Sequence, residues 1–339
     1  MKTKTQLNKT TKKALLLLLA AAFALSLIGC GQGNSNTQGS GSKEEKIIIA
    51  IVQPMDHTSL NQIRDTIIEE LGASEFADKI EIVQKNAAGD LSLLPSIMNE
   101  IMASGASILV PIATQPAQAA KNAAEGADIQ IVFSAVSNPI QAGLVESFDK
   151  TDSNITGVSN TIAVADIFKL AGELTPEVET FGLVYNASET NSLASINTAK
   201  EYCQNNGIPF VEATIASTAD LQQAALSLVG RADAFFTPND NTVASAMEVY
   251  ATIAIEHKMP LYVGADSMVI DGGFATVGID YVQLGQQTTD MIVRLLSGQT
   301  IAENPVEAVS EFSKMVNPAT AELLGITIPE DFDGKLLGK

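Results

Sequence analysis

Polar side chains able to recognise or transform a small molecule gather in this sequence where short apolar runs end. The run IIIAIV at 47–52 gives way to a loop holding His57 and Ser59, and later runs give way to Thr114-Gln115-Pro116 and Ser137-Asn138-Pro139. In the second half FGLVY, which ends in Tyr185, leads into Glu189, Asn191 and Ser192, AFF leads into Asp240 and Asn241, and LYV leads into Asp266. Hydroxyls, amides and carboxylates set out in this way suit hydrogen bonding to a polar solute. Catalytic devices are missing: there is no G-x-S-x-G elbow, no G-x-x-x-x-G-K-S/T loop and no G-x-G-x-x-G after a strand. Histidine is confined to His57 and His257, with no H-E-x-x-H and no Cys/His cluster, so no metal is expected. His257 ends a helical pattern, where partial positive charge is favourable, and reads as structural. His57 lies in a strand-to-helix loop and reads as a candidate solute contact. No nucleophile can be nominated beside it, so an enzyme is not expected and no cofactor is implied.

The elements that must position these residues alternate along the chain. Strand-length apolar runs occur at 47–52, 80–83, 108–112, 129–133, 181–185, 210–213, 234–236, 261–263 and 274–279. Helical patterns lie between them at 60–71, 91–103, 117–124, 192–205, 221–229, 243–256 and 284–296. Short, almost continuous hydrophobic strands alternating with helices predict an α/β fold with parallel sheets covered on both faces. The pattern occurs twice, which predicts two similar doubly wound domains. In such sheets ligands bind beyond the carboxyl ends of the strands, where helix N-termini present free N–H groups. Ser, Thr, Asp and Asn are also the ordinary helix N-caps, and Thr218 before Leu221 reads as a cap alone. Six polar loops converging on one cleft favour a binding site for the set.

The N-terminus carries a different message. Lys2, Lys4, Lys9, Lys12 and Lys13 precede an apolar run from Ala14 to Ile28 that is short for a membrane span, and Leu27-Ile28-Gly29-Cys30 closes it. This resembles the bacterial lipobox, which implies cleavage after residue 29, acylation of Cys30 and anchorage at a membrane surface without spanning. An ordinary cleaved signal is the alternative. Residues 31–42 are almost wholly Gly, Ser, Asn, Gln and Thr and read as a flexible tether. The folded part then begins near Lys43, leaving about 295 residues, comfortable for two domains. Loss of residues 1–29 removes five lysines and no acid, leaving 15 Lys+Arg against 39 Asp+Glu, a net charge of −24. That surface repels nucleic acid, which is excluded as a partner. With Cys30 acylated only Cys203 remains, so no intramolecular disulfide forms.

The stretches VQPMDHTSL (52–60), SAVSNPIQAGLV (134–145), NITGVS (154–159), GLVYNASETNS (182–192), FFTPNDNTVASAM (235–247) and GIDYVQLGQQT (278–288) resemble the solute-binding lipoproteins of tryptophan/tyrosine-type ABC importers. The resemblance covers essentially the whole mature chain. It implies a type I periplasmic-binding-protein fold, with lobe 1 at 43–159 plus 281–303 and lobe 2 at 160–280 plus 304–339. Three hinge crossovers join them, near 157–160, 278–281 and 304–309, and closure about these hinges buries the solute. The implied partners are an amino-acid-like solute and a permease with its ATPase, and the implied place is the extracytoplasmic face of the cell membrane. The protein is expected as a monomer.

An amino-acid solute then distributes the candidates. Its carboxylate suits Ser59, Thr114, Gln115 and Ser137 with the helix starts they precede. Its ammonium suits Asp240 first, then Glu189 or Asp266. Asn191, Ser192 and Asn241 complete hydrogen bonds, and Tyr185, Phe133 and Tyr281 sandwich an apolar or aromatic side chain. Asn138 stands where the family commonly shows Asp before the proline, which argues against a carboxylate from that lobe. A sensory receptor of the same fold, a binder of a branched-chain amino acid or nucleoside, and an exported enzyme are the rival readings.

Overall fold

The computed structural model describes residues 46–149 and 154–338; Cys30 and the tether lie outside them. Two sheets form. The first has the order β11-β5-β4-β3-β1-β2, with β1 Ile47–Gln53, β2 Ile80–Asn86, β3 Ile108–Pro111, β4 Gln130–Ser134, β5 Ile155–Ser159 and β11 Glu307–Ala308. All its pairings are parallel. The second has the order β13-β12-β10-β9-β8-β6-β7, with β6 Phe181–Asn186, β7 Phe210–Ile215, β8 Ala234–Thr237, β9 Leu261–Val263, β10 Ala275–Gly278, β12 Ser313–Val316 and β13 Lys335–Leu336. Here β12 runs antiparallel to β10, a departure from the all-parallel expectation. The cores β2-β1-β3-β4-β5 and β7-β6-β8-β9-β10 share one winding order. Each reverses direction beside its own first strand, at β1/β3 and at β6/β8, the switch points where doubly wound sheets bind ligands.

Burial on both faces explains why the strands read as unbroken apolar runs. Along β1, Ile49 and Ile51 enter one hydrophobic cluster while Ala50 and Val52 enter another. Along β8, Phe235 faces one cluster and Ala234 and Phe236 the other. Each alternate side chain therefore has apolar neighbours, the two-residue period acting twice.

The helices between and beyond these strands begin with α1 Thr58–Ala73, α2 Leu94–Ala103, α3 Thr114–Ala123, α4 Val164–Leu174, α5 Thr190–Asn206 and α6 Leu221–Leu228. They continue with α7 Asn241–Ala244, α8 Met247–Glu256, α9 Asp266–Ile270, α10 Tyr281–Leu296 and α11 Pro318–Leu324. The helix expected over 243–256 is two helices, broken at Ser245–Ala246. The capping residue is Ser217 rather than Thr218, in a reciprocal capping box with Asp220 on a 3-10 turn, Thr218–Asp220, that runs into α6. Cys203, on α5, is fully buried, and burial pushes its thiol up to about 11.

The chain passes between the sheets after β5, after β10 and after β11. Helix α10 buries Leu284, Thr288, Met291, Ile292 and Leu295, and Gly285 lets it approach α1, since a Cβ there would stand 2.8 Å from the Thr66 Cβ. The segment after 304, expected to return directly to the second lobe, first adds Glu307–Ala308 to the edge of the first sheet beside β5. Asn304 fixes this return: Thr156 Oγ1 donates to its carbonyl at 2.6 Å, and Arg294 Nε donates to its Oδ1 at 2.6 Å.

Candidate solute-binding cleft

Both switch points open onto one cleft. Its lining comes from the loop and first turn after β1 (His57, Ser59, Leu60), the ends of β4 and β5 (Ala135, Ser137, Asn160), α5 (Asn191) and the end of β8 (Asn239, Asp240, Asn241, Ala244). The loop after β9 and its helix add Ala265 and Met268, and α10 adds Tyr281. The room left between these side chains is about 20 Å³, space for about one water molecule, so the lobes as they stand close the cleft on themselves. Gly264 sets one wall, because a Cβ there would run into the Asn239 backbone nitrogen.

Side chains of the two lobes bond directly to one another. Asn239 Nδ2 donates to Ser137 Oγ at 2.7 Å, and Ser137 Oγ donates to Asn160 Oδ1 at 3.0 Å. Asn160 Nδ2 in turn donates to the Tyr281 hydroxyl at 3.1 Å. Asn160 follows β5 and Tyr281 follows β10, so this last bond ties two crossovers together. On the other side of the cleft the Ser59 and Ser267 hydroxyls are in contact, and His57 Nε2 lies 3.2 Å from Asn241 Oδ1. At the rim the Thr58 side chain bonds Asp271, whose carboxyl is raised by burial.

The acids of the second lobe are strongly bound within the protein. Asp240 caps α7: its Oδ1 accepts from Val243 N at 2.9 Å, and its Oδ2 accepts from Asn186 N and Ser192 Oγ, each at 2.6 Å. Burial and the neighbouring Glu189 push the Asp240 carboxyl up to about 7 in spite of these donors. Glu189 accepts from Asn241 N at 3.0 Å, Asn241 Nδ2 at 2.7 Å, Thr242 N at 2.9 Å and Thr242 Oγ1 at 2.7 Å. Asp266, at the first residue of α9, accepts from Ser267 N at 2.6 Å, and burial pushes it up to about 7. Tyr281 is buried and its phenol is raised above its ordinary range, so it stays protonated. Burial also holds the His57 imidazole below its ordinary 6.5, against the raising influence of Asn241, Glu189 and Asp56.

Of the residues expected in the site, His57, Ser59, Ser137, Asn191, Asp240, Asn241 and Tyr281 line the cleft, and the others stand elsewhere. Ser192 and Glu189 lie behind it as supports of Asp240 and Asn241. Asp266 is buried at its helix start. Thr114 is buried with its hydroxyl unpartnered, yet does not reach the cavity. Gln115 faces a surface hollow between α2 and α3, beside Leu94 and Met98. Asn138 is exposed and closes a turn, accepting from Gln141 N at 3.0 Å. Phe133 and Tyr185 are core residues of their lobes, not walls for a solute ring, and the Tyr185 hydroxyl donates to Glu212 at 3.0 Å. Sequence reasoning passed over Asn160, Asn239, Leu60 and Met268. Asn239 stood inside the TPNDN stretch, and Asn160 directly follows NITGVS. Two alanines at strand ends carry positive φ, Ala113 at 76° and Ala135 at 58°, a strained choice for a residue with a Cβ that clusters at functional sites. Among the described residues no group of His, Cys, Asp and Glu could hold a metal ion.

This geometry has close counterparts. The sequence pattern of the family described as ABC transporter substrate binding protein matches residues 48–334. A tyrosine-binding protein of Clostridioides difficile (strain R20291) is 32% identical over 285 residues, 84% of this chain and 82% of the relative. A crystal structure of an ABC domain in complex with L-Trp from Streptococcus pneumoniae is 32% identical, covers 86% of this chain and 100% of its own, and superposes with a TM-score of 0.82. A ligand-free, open substrate-binding protein with adhesive properties from Clostridium difficile, also 32% identical and covering 86% of this chain and 100% of its own, superposes at 0.66. At equal identity the solute-bound relative is the nearer match, in keeping with the direct bonds between the lobes. The matched pattern and these relatives span most of the chain, and the chain belongs to the ABC transporter substrate-binding family, whose members bind a solute rather than turn it over.

Proposed function

We propose that this protein is the extracytoplasmic solute receptor of an ABC importer, capturing an aromatic amino acid between two closing lobes and delivering it to a permease driven by a separate ATPase. One observation carries the reading: seven residues suited to a polar solute, from both lobes, meet along a single cleft at both switch points. The tryptophan-bound and tyrosine-binding relatives support the solute class. Asp240 takes the ammonium, Ser137 with the Asn160, Asn239 and Tyr281 group around it takes the carboxylate, and Leu60 and Met268 bed the ring. The lobes divide at 43–159 plus 281–303 and at 160–280 plus 304–339, with Glu307–Ala308 on the first sheet's edge, and they close as a monomer. Lipid on Cys30 holds the mature chain at the membrane; among the described residues no helix is long and apolar enough to cross one. Calorimetric titration of the purified protein with the amino acids, nucleosides and sugars tests the solute: tryptophan or tyrosine should bind, and a nucleoside or sugar binding in their place would refute the reading. Cys30→Ser should move the protein out of the membrane fraction.

A further inference from the structure

His57 is held in one tautomer by a chain of bonds that begins at a carboxylate. Glu189 can only accept, and Asn241 Nδ2 donates to it at 2.7 Å, which fixes the Asn241 amide and turns its Oδ1 toward His57. The His57 Nε2 that faces this oxygen at 3.2 Å must therefore carry the proton. With the imidazole neutral, Nδ1 is then a bare acceptor, and it is buried without a partner in a residue that lines the cleft. A buried acceptor left unpaired is costly, and a solute that brings a donor to it gains what a solute without one forfeits.

The polarity of the cleft says which donor. Ser137, Asn160, Asn239 and Tyr281 form a linked polar group at one end. His57 belongs to the other end, one turn from Leu60 and beside Ala244, where the contact of Ser59 with Ser267 brings the start of α1 against the start of α9 with its Met268. The charged main-chain groups of an amino acid belong with the polar set and Asp240, so its side chain is left facing the end where Leu60, Ala244 and Met268 stand with His57. We propose that His57 is the specificity-determining residue of this cleft, its Nδ1 accepting a hydrogen bond from an N–H or O–H donor on the ring of an aromatic amino acid. The inference rests on the aromatic amino-acid reading above and extends it: the site prefers an indole or a phenol to an unsubstituted phenyl ring.

Titration calorimetry with tryptophan, tyrosine and phenylalanine on the purified wild-type, H57Q and H57N proteins tests this. Gln places an N–H donor near the position of Nε2, retaining the bond to Asn241 while deleting the acceptor; Asn places an oxygen near the position of Nδ1 and deletes the Asn241 bond. Wild-type protein should favour tryptophan or tyrosine over phenylalanine by at least about tenfold. H57Q should bring that ratio to within about threefold of unity, chiefly by weakening the favoured solute, and H57N should keep a preference while weakening all three. Equal wild-type affinity for the three solutes, or H57Q lowering all three by one common factor, overturns the assignment and leaves the amino-acid reading standing. Wild-type protein that binds none of the three overturns both.

Discussion

At the scale of single residues the cleft sets a charge against a cap. Asp240 does both tasks in the proposed site, and Asp240→Asn separates them, because Asn caps helices as well as Asp. The substitution should cost about 2–5 kcal/mol of amino-acid binding, through loss of the ammonium's counter-charge, and about 1–3 kcal/mol of stability from donors left unpaired at Asn186 and Ser192; calorimetry and thermal unfolding on the same sample read the two. Wild-type binding should also release protons. Burial and Glu189 push the Asp240 carboxyl of the closed cleft up to about 7, an ammonium paired with it draws it down, and affinity therefore falls as pH falls through that value. His57 acts in the same direction below its ordinary 6.5, since the open cleft takes a proton that the closed one, even with Glu189 and Asp56 nearby, resists. Titration in buffers of different ionisation enthalpy should reveal the release, and an unchanged release in Asp240→Asn would remove Asp240 from the ammonium site. Ser59, Ser137, Asp240 and Asn241 were legible because a polar residue closing a buried strand has few places to point. Gln115 and Asn138 were misread for the same reason: starting a helix or closing a turn selects the same side chains as holding a solute.

Elements position these residues with some stored strain. Ala113, with φ 76° and ψ 168°, occupies a region that belongs to glycine. Ala113→Gly should raise stability by about 1 kcal/mol, the relief exceeding the added freedom of the unfolded chain, as read by denaturant unfolding. Gly285→Val should do the reverse, because the new Cβ meets Thr66 where α10 crosses α1, at about 1–3 kcal/mol. Gly172 of α4 faces open space, with nothing within 4 Å of where a Cβ would stand, so Gly172→Ala should be neutral or stabilising by up to about 1 kcal/mol. Strands with continuous apolar runs were readable from sequence. β5 was not, since ITGVS carries a glycine and two hydroxyls, and β11 and β13 are two residues each, too short for any period to show. The break at Ser245–Ala246 hid inside one long apolar stretch for a like reason.

For the whole molecule the doubled strand–helix pattern was enough to expect two lobes, whereas the route of the C-terminal segment was not, because its strands are chosen by the sheet edges left open rather than by their own composition. Motion between the lobes can be arrested at Ser59 and Ser267, whose hydroxyls touch across the cleft. The Ser59→Cys, Ser267→Cys pair should form a disulfide on oxidation. Oxidised without solute, the protein should then admit none; oxidised with solute, it should retain it through dialysis, and reduction should restore exchange. Free exchange in the oxidised protein would place the entry path away from these two residues. Small-angle scattering of the wild-type protein should show a smaller radius of gyration with solute present.

The bond from Asn239 to Ser137 bears on selectivity in a further way. Each lobe presents to the other hydroxyls and amides that a solute would otherwise engage, so the protein carries its own competitor, tethered and always at hand. An incoming molecule must offer better bonds than these internal ones before closure favours it. Weakly matched metabolites are thereby turned away without any group built to repel them, and the threshold for capture is set by how well the cleft satisfies itself.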